Sequence, residues 1–275
     1  MTDTVETFCY RHPDRPTGLA CTECDRPICP SCSIDAAVGQ RCPECLRQAG
    51  PQKVITARDL VAPKASFATA PVTFSIITVA AAIQVLSFVA APLWNQLFTA
   101  LAMWPPGVEA GEWWRVVTVV TLHAGLIHVG FNMLITYQLG PQLERQLGSL
   151  SFLSLFLASA AVGSTFAYFI GPVAPGVGAS GAVFGLVGAW LAPAVRRRGT
   201  AWGRQLLNQL GGLLILNAAI PFFLPRVSWQ AHLGGLIAGF VIGWAWTSQP
   251  LLKNPPARIA VGLAVLLAAI LSTQL

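Results

Sequence analysis

The stretch Gly178-Ala179-Ser180-Gly181-Ala182-Val183-Phe184-Gly185 opens an apolar segment that is expected to form a helix buried in a lipid bilayer. A serine among small residues at the start of such a helix has two interpretations. Small residues let membrane helices pack closely, and a serine hydroxyl can bond back to its own helix. Alternatively, the glycines admit a substrate backbone, and the helix N-terminus stabilises negative charge beside a serine nucleophile. The motif alone favours packing, so the choice depends on the rest of the chain.

The composition is that of a membrane protein. Of the 275 residues, 54% are hydrophobic and 10% are charged, and the mean hydropathy is +0.61. Soluble domains carry about a quarter charged residues. The net charge of +6 comes from basic residues at the ends of apolar segments, which membrane topology explains. We therefore predict an all-α polytopic membrane protein that has no nucleic-acid partner.

A small zinc-binding domain is predicted at residues 1–48, because all seven cysteines lie there. Together with one histidine they form four pairs, each with its two members three positions apart, and such a pair grips a tetrahedral ion from a tight turn. Eight ligands fill two closed sites, which indicates two structural Zn²⁺ ions and not a catalytic one. The odd cysteine count argues against a disulfide framework. The expected ligands are Cys9, His12, Cys21, Cys24, Cys29, Cys32, Cys42 and Cys45.

The spacing leaves the assignment of these pairs to the two sites open. The first pair can share an ion with the third, or with its immediate neighbour in the sequence. The arrangement resembles B-box-like zinc-binding domains, and a redox or disulfide module is the less favoured alternative. The domain could bind a cytosolic protein partner, gate the rest of the chain or stabilise it, and the residues do not choose among these roles.

Seven apolar segments are long enough, or nearly so, to span a bilayer. A linker at 49–70 precedes a six-span core at 71–248, and a seventh helix lies within 249–275. The Trp-rich segment Pro92–Arg115 is too polar to span and is predicted to be a loop in the membrane interface. The predicted spans are Val72–Ala91, Val116–Leu139, Leu150–Ile170, Ser180–Val195, Leu206–Leu224, Trp229–Trp246 and Ile259–Leu275.

The distribution of basic residues predicts the orientation in the membrane. With the N-terminus inside, fifteen of the 17 Lys and Arg residues fall in inside segments, a strong positive-inside bias. The zinc-binding domain is therefore expected in the cytosol and the C-terminus outside the cell. We expect a multi-pass protein of the plasma membrane.

Three histidines lie within or beside these spans, and ionisable groups in a membrane mark functional sites by default. They are His123, His128 and His232, and Asn132 lies one helical turn after His128. Ser180 and His232 both lie near the outer ends of their spans, at similar shallow depth. No Asp or Glu follows Glu144. Glu144 itself is expected at the cytosolic end of the second span, at the wrong depth for the serine. A Ser-His-acid triad within the membrane is therefore unavailable, and a Ser-His dyad remains.

Several motifs resemble those of the rhomboid intramembrane serine proteases, in the same order and with similar spacing over about residues 72 to 247. They are Trp114-Arg115, His123-x4-His128-x3-Asn132, Glu144-x3-Gly148, Gly178-x-Ser180-Gly181 and Ala231-His232-x2-Gly235-x3-Gly239. The resemblance implies a rhomboid-like six-helix core plus one C-terminal transmembrane helix.

The resemblance also implies roles for single residues. Ser180 would be the nucleophile and His232 the general base. His128, Asn132 and the backbone N–H of Ser180 would form the oxyanion hole. Phe184 replaces a tyrosine that is frequent in the family, which keeps a ring against His232 and removes a hydroxyl.

The remaining motif positions would serve the structure around that dyad. Trp114 and Arg115 would anchor the first loop. Gly235 and Gly239 would let the sixth span pack on the fourth. His123 would serve a hydrogen-bond network or the entry of water.

The function implied is a serine endopeptidase that cuts transmembrane or juxtamembrane segments of membrane proteins near the outer face, without a catalytic cofactor. Two alternatives belong to other classes. An inactive relative would bind membrane proteins without cutting them, although such proteins usually lack the serine or the histidine. A transporter would line a pathway with the same polar residues, but the sequence shows no inverted repeat and no intramembrane acid.

Overall fold

The computed structural model describes residues 6–35, 39–48, 65–223, 227–248, 251 and 253–275, with side chains described up to 215 in the segment that ends at 223. Most of the predicted linker and the predicted end of the fifth span at Leu224 lie outside these residues. The chain divides into two compact units, Met1–Ala62 and Pro63–Leu275, and each is described by itself.

The N-terminal unit is built from very short elements. Strands β1 (Phe8–Cys9) and β2 (His12–Pro16) form one antiparallel hairpin, and β3 (Ile34–Asp35) and β4 (Gln40–Arg41) form another. A 3₁₀ turn at Pro30–Cys32 and helix α1 (Pro43–Gln48) complete it. Its buried core consists of Ile28 and six of the cysteines. Because so few apolar side chains are buried, this unit depends on its cysteines for stability.

The second unit is helical. Proline occupies the first turn of several of its helices, where the missing N–H costs nothing. The helices are α2 (Pro71–Val89), α3 (Ala91–Leu101), α4 (Pro105–Glu109), α5 (Arg115–Thr118), α6 (Leu126–Leu147), α7 (Ser149–Ile170), α8 (Ser180–Arg196), α9 (Ala201–Phe223), α10 (Trp229–Trp246) and α11 (Pro255–Ser272).

Within the described residues, three helices are long and apolar enough to cross a membrane, namely α2, α7 and α11. A fourth crossing is reached if α5, the 3₁₀ turn Val119–Thr121 and α6 count as one span bent by 98°. Helix α8 is apolar and has 17 residues. The protein is therefore a multi-pass membrane protein, and the crossing of all seven predicted spans stays a prediction.

The second span is predicted to begin near Val116, or later and nearer His123, whereas the long helix α6 begins only at Leu126, after α5 and a 3₁₀ turn. Gly125, with φ +151°, lies immediately before it in a backbone conformation that side chains disfavour. At 1.5 Å per residue, His128 and Asn132 lie only about 3 and 9 Å along α6. The predicted long second span would have placed them about 18 and 24 Å deep. The bend therefore brings both residues close to one end of the helix.

The Trp-rich segment predicted as a loop contains the two helices α3 and α4. Arg115 is buried beneath them, with its Nε donating to Glu112 at 2.6 Å and its Nη1 to the Ala102 carbonyl at 2.8 Å. Trp114 Nε1 donates to the Ala100 carbonyl at 3.0 Å. Trp114 and Arg115 thus tie the segment to the end of α3.

Small residues bring α7, α8 and α10 together at the centre of the unit. The Cα atoms of Gly235 and Gly239 lie against the carbonyls of Gly181 and Gly185, so that an added Cβ would collide with backbone. A Cβ on Gly163 of α7 would lie 2.7 Å from the Ala231 carbonyl. Close backbone approach through small residues is the usual means of helix association in membranes.

Glu144 joins three helices near the other end of α6. Its side chain is 2% exposed and accepts backbone N–H bonds from Val72 at 2.9 Å and Thr73 at 2.8 Å. The hydroxyls of Thr73 and Ser149 donate to it at 2.7 Å each. The carboxylate satisfies orphan N–H groups at the start of α2, where the helix dipole favours a negative charge.

Candidate active site

Ser180 is the first residue of α8, and His232 lies in the first turn of α10. One turn after Ser180, the ring of Phe184 stacks on His232 with the centroids 4.3 Å apart and the planes inclined by 10°. Residues four apart share one face of a helix. The His232 ring is therefore held against the same face of α8 that carries Ser180.

Glycines allow this approach. Gly181 follows Ser180 directly, and its added Cβ would lie 3.3 Å from the carbonyl of Ala231, the residue before His232. On α10, Gly235 lies against the Gly181 carbonyl. A side chain at Gly235 would separate the two helices at the turn that carries the serine and the histidine.

The structure brings Ser180 and His232 to adjoining turns without a hydrogen bond between them. In the part of the chain that the structure describes, no bond joins the Ser180 hydroxyl to the His232 ring, and both side chains are half-buried. Catalytic hydrogen bonds in free enzymes are often long and tighten when substrate binds. The absence of this bond in the described residues therefore leaves the predicted dyad untested.

His128 faces the backbone just before the serine. Its Nδ1 accepts the N–H of Ala124 at 3.3 Å, so the neutral ring carries its proton on Nε2. A Cβ on Gly178 would lie 2.8 Å from that Nε2 and 2.7 Å from Cε1. Gly178 has φ +131°, so both its conformation and its surroundings favour glycine. An N–H donor therefore lies beside the turn that leads into Ser180.

Asn132 lies one turn further along α6 and is 5% exposed. Its Nδ2 donates to the His128 carbonyl at 2.9 Å, and its own carbonyl accepts from Thr136 at 2.8 Å. Both of these hydrogen bonds lie within α6, and none of the described bonds joins Asn132 to Ser180. A side-chain amide has two N–H groups, which leaves one for a further acceptor.

His123 is bonded directly to the turn before Ser180, whereas the sequence indicates only a role in a hydrogen-bond network or in the entry of water. It is 1% exposed, and its Nε2 accepts the N–H of Ala179 at 3.4 Å. Its ring packs edge-on against His128 with the centroids 5.1 Å apart. The Val119 carbonyl accepts the N–H of Gly178 at 3.2 Å. The bend before α6 therefore holds the two residues that precede Ser180.

The cysteines form two Cys/His clusters that could each bind a metal ion. In each cluster the four ligand atoms lie within 4.8 Å of one another, and all seven cysteines are free thiols. The first and third sequence pairs form one cluster and the second and fourth pairs form the other, which settles the open assignment as interleaved. The Cys₃His cluster is Cys9, His12, Cys29 and Cys32, and the Cys₄ cluster is Cys21, Cys24, Cys42 and Cys45.

The donor geometry fits a tetrahedral ion. Sulfurs at the Zn–S distance of about 2.3 Å are separated by about 3.8 Å in a tetrahedron. The Sγ atoms of Cys24 and Cys42 are 3.8 Å apart, and His12 Nδ1 lies 3.4 Å from the Sγ atoms of Cys29 and Cys32.

The Ser31 hydroxyl, hydrogen-bonded to Cys29 at 3.2 Å, lowers the pKa of that thiol to about 5. Lowering this pKa favours the thiolate, which is the form that binds a metal.

Comparison with known proteins identifies the helical unit. The family model described as "Rhomboid domain" matches residues 110–249, half of the chain. The chain is 36% identical to the Rhomboid protease GluP of Bacillus subtilis over 137 residues, which are 48% of this chain and 26% of that protein.

Two further relatives match a similar part of the chain. YdcA of the same organism is 35% identical over 153 residues, or 55% of this chain and 75% of that protein. Rhomboid-like protease 1 of Toxoplasma gondii is 33% identical over 168 residues, or 58% of this chain and 55% of that protein. The chain thus spans a quarter to three quarters of the length of these relatives. The family expected from the motifs is confirmed: the chain belongs to the rhomboid family.

Proposed function

We propose that this protein is an intramembrane serine endopeptidase that hydrolyses peptide bonds in or near transmembrane segments of membrane proteins. The observation that carries the proposal is the stack of Phe184 on His232, which holds the imidazole beside the turn that begins with Ser180. The names of all three relatives described above contain the word protease.

Ser180 Oγ attacks the carbonyl carbon of the scissile bond, and His232 accepts the proton that the hydroxyl loses. His232 then gives this proton to the leaving amine, and a water molecule hydrolyses the acyl-enzyme by the same route. No Asp or Glu follows Glu144, so no carboxylate orients the imidazole from the helices that carry the dyad. The flat contact with Phe184 orients the ring instead.

Three groups stabilise the oxyanion. They are the backbone N–H of Ser180, at the start of α8, and the side chains of His128 and Asn132 on α6. The backbone N–H of Ser180 belongs to the first turn of α8, where N–H groups have no intrahelical acceptor. His128 contributes Nε2–H, which its bond with Ala124 fixes as the protonated nitrogen. Asn132 contributes its second amide N–H. Removing one such donor typically lowers the rate about 10²–10³-fold.

The two Cys/His clusters hold structural Zn²⁺ in this proposal. Both have four protein ligands and no open position, which is the arrangement of a structural rather than a catalytic site. The positive-inside bias of the basic residues supports a cytosolic location for this domain and a proteolytic site near the outer face of the plasma membrane. The substrates are transmembrane proteins, and a cytosolic protein is the expected kind of partner for the zinc-binding domain.

Covalent labelling by a fluorophosphonate probe tests the proposal on the purified full-length protein in detergent. We expect the wild type to be labelled, and Ser180→Ala and His232→Ala to lose labelling. Ser248→Ala is the matched control, because among the described residues that hydroxyl donates to the Ala245 carbonyl at the end of its own helix and to nothing at the candidate site. Labelling that persists in Ser180→Ala would show that another residue is the nucleophile. A folded wild type without labelling would favour the function of a membrane-protein-binding module.

A further inference from the structure

Arg26 contacts a ligand of the Cys₄ cluster and the ring of a tyrosine that neighbours ligands of the Cys₃His cluster in the sequence. Its Nε donates to the Sγ of Cys24, a member of the Cys₄ cluster, at 3.2 Å. Its guanidinium lies over the ring of Tyr10, with Cζ 4.7 Å from the ring centroid. Tyr10 stands between Cys9 and His12, two members of the Cys₃His cluster. The Arg26 side chain therefore links Cys24, a ligand of the Cys₄ cluster, to the ring of Tyr10, which lies in the segment that carries two ligands of the Cys₃His cluster.

The backbone around Arg26 holds this bridge in place. The N–H of Tyr10 donates to the carbonyl of Pro27 at 2.9 Å, and the N–H of Cys21 donates to the carbonyl of Arg26 at 2.9 Å. Asp25, with φ +56°, makes the tight turn that leads from Cys24 into Arg26. Backbone hydrogen bonds thus join the segment that carries Arg26 to Cys21, a ligand of the Cys₄ cluster, and to Tyr10, the neighbour of Cys9.

Charge explains why an arginine suits this position. Four thiolates and a divalent ion leave two net negative charges on the Cys₄ site, whereas three thiolates and a neutral histidine leave one. A guanidinium that donates to a thiolate forms a charge-assisted hydrogen bond, which stabilises the deprotonated sulfur that the metal requires. The positive charge thus contacts the site with the larger negative charge.

We propose that Arg26 secures the metal of the Cys₄ site and couples its retention to the Cys₃His site through Tyr10. Arg26 acts on the metal through Cys24 and is a positioning residue. The stack on Tyr10 holds the guanidinium at the sulfur, so a change at Tyr10 loosens the Cys₄ metal although Tyr10 lies beside Cys9, a ligand of the other cluster. Hydrogen-bonding partners of ligands typically change metal affinity about 10–100-fold.

Metal release from the purified full-length protein tests this inference. The protein is loaded with two Zn²⁺ and challenged with an excess of chelator, and the metal that remains bound is measured over time. Co²⁺ loading identifies the site that loses metal, because Cys₄ and Cys₃His sites differ in their visible absorption. We expect Arg26→Gln to release one ion about 10–100-fold faster than the wild type, and the Co²⁺ spectrum to assign it to the Cys₄ site.

Matched variants separate the bridge from general effects on folding. Arg26→Lys keeps the charge but loses the planar group, so we expect release at a rate between those of Arg26→Gln and the wild type. Tyr10→Leu should accelerate release from the Cys₄ site, whereas Tyr10→Phe keeps the ring and should behave as wild type. Arg15→Gln is the control, because Arg15 donates to Ser31 at 2.7 Å, and Ser31 bonds Cys29 of the Cys₃His cluster and, within the described residues, no ligand of the Cys₄ cluster.

Three outcomes would overturn the inference. The first is an Arg26→Gln protein that releases both ions at the wild-type rate. The second is equal acceleration at both sites, which would mean that Arg26 supports only the fold of the domain. The third is a Tyr10→Leu protein whose Cys₄ site keeps its metal as the wild type does, which would remove the coupling. Because metal retention is measured, none of these results depends on proteolysis.

Discussion

Replacing Gly235 by alanine should inactivate the protein far more than it destabilises it. Gly235 packs on the Gly181 carbonyl, and an added Cβ would lie well inside the 3.4 Å at which ordinary contact begins. Since the obstacle is backbone, α8 and α10 must separate by on the order of 1 Å, a displacement that can lower a rate about 10²-fold. Overpacking of this kind costs about 1–3 kcal/mol of stability.

Gly243→Ala is the matched control on the same helix. Its Cβ would lie 2.9 Å from the Cα of Ala189, so it also forces α8 and α10 apart. Gly243 is two turns beyond Gly235, about 12 Å further from His232. We expect a similar fall in thermal stability with a much smaller fall in kcat.

The assay is cleavage of a fluorescent transmembrane peptide in detergent, with the melting temperature of each variant measured in parallel. We expect kcat of Gly235→Ala to fall about 10²-fold while its melting temperature stays close to that of Gly243→Ala. Equal losses of kcat in the two variants would show that the spacing of α8 and α10 acts through stability alone. Wild-type kcat in Gly235→Ala would show that activity does not depend on the close approach of α8 and α10 at Gly235.

Three further substitutions test other parts of the account. Glu144→Ala leaves two backbone N–H groups and two hydroxyls without their acceptor, so we expect a loss of unfolding free energy of at least about 3 kcal/mol, with Glu144→Gln in between. An unchanged denaturation midpoint would contradict this. His123→Ala removes the acceptor of the Ala179 N–H and should lower kcat about tenfold, whereas His123→Gln offers an oxygen in its place and should recover part of the activity. Equal kcat in both variants would argue against a role in placing the turn. Phe184→Ala should lower kcat with little change in KM, whereas Phe184→Tyr keeps the ring against His232 and should retain activity; wild-type kcat in Phe184→Ala would exclude an orienting role.

The metal ligands show what spacing can and cannot predict. Seven cysteines and one histidine in equally spaced pairs predict two four-ligand sites, and the structure confirms two such clusters. The assignment of pairs to sites could not be predicted, because each pair has the same internal spacing. It depends on how the two hairpins bring Cys9 near Cys29 and Cys24 near Cys42, which is a tertiary property.

The helical unit shows a similar limit. The segment Val116–Leu139 is mostly apolar and contains no Asp, Glu, Lys or Arg, so hydropathy predicts one span. Hydropathy carries no information on the direction of the backbone. The 98° bend at Gly125 changes the depth of His128 and Asn132 without changing composition. The motif order predicted the family, and the structure placed Phe184 against His232 as the sequence suggested. The bond from Ala179 to His123 joins residues 56 positions apart, and no local pattern predicts it.

Cleavage of a defined transmembrane substrate in proteoliposomes is the most direct test of whether the protein is a serine endopeptidase that uses Ser180 and His232. The purified protein is reconstituted with a single-span reporter, and the products are identified by mass spectrometry. We expect a cut in the part of the span near the outer face. Both Ser180→Ala and His232→Ala should abolish it, and Ser248→Ala should retain it. Cleavage that survives either of the first two substitutions would contradict the proposed dyad. A wild type that binds the reporter without cutting it would contradict the proposed enzyme.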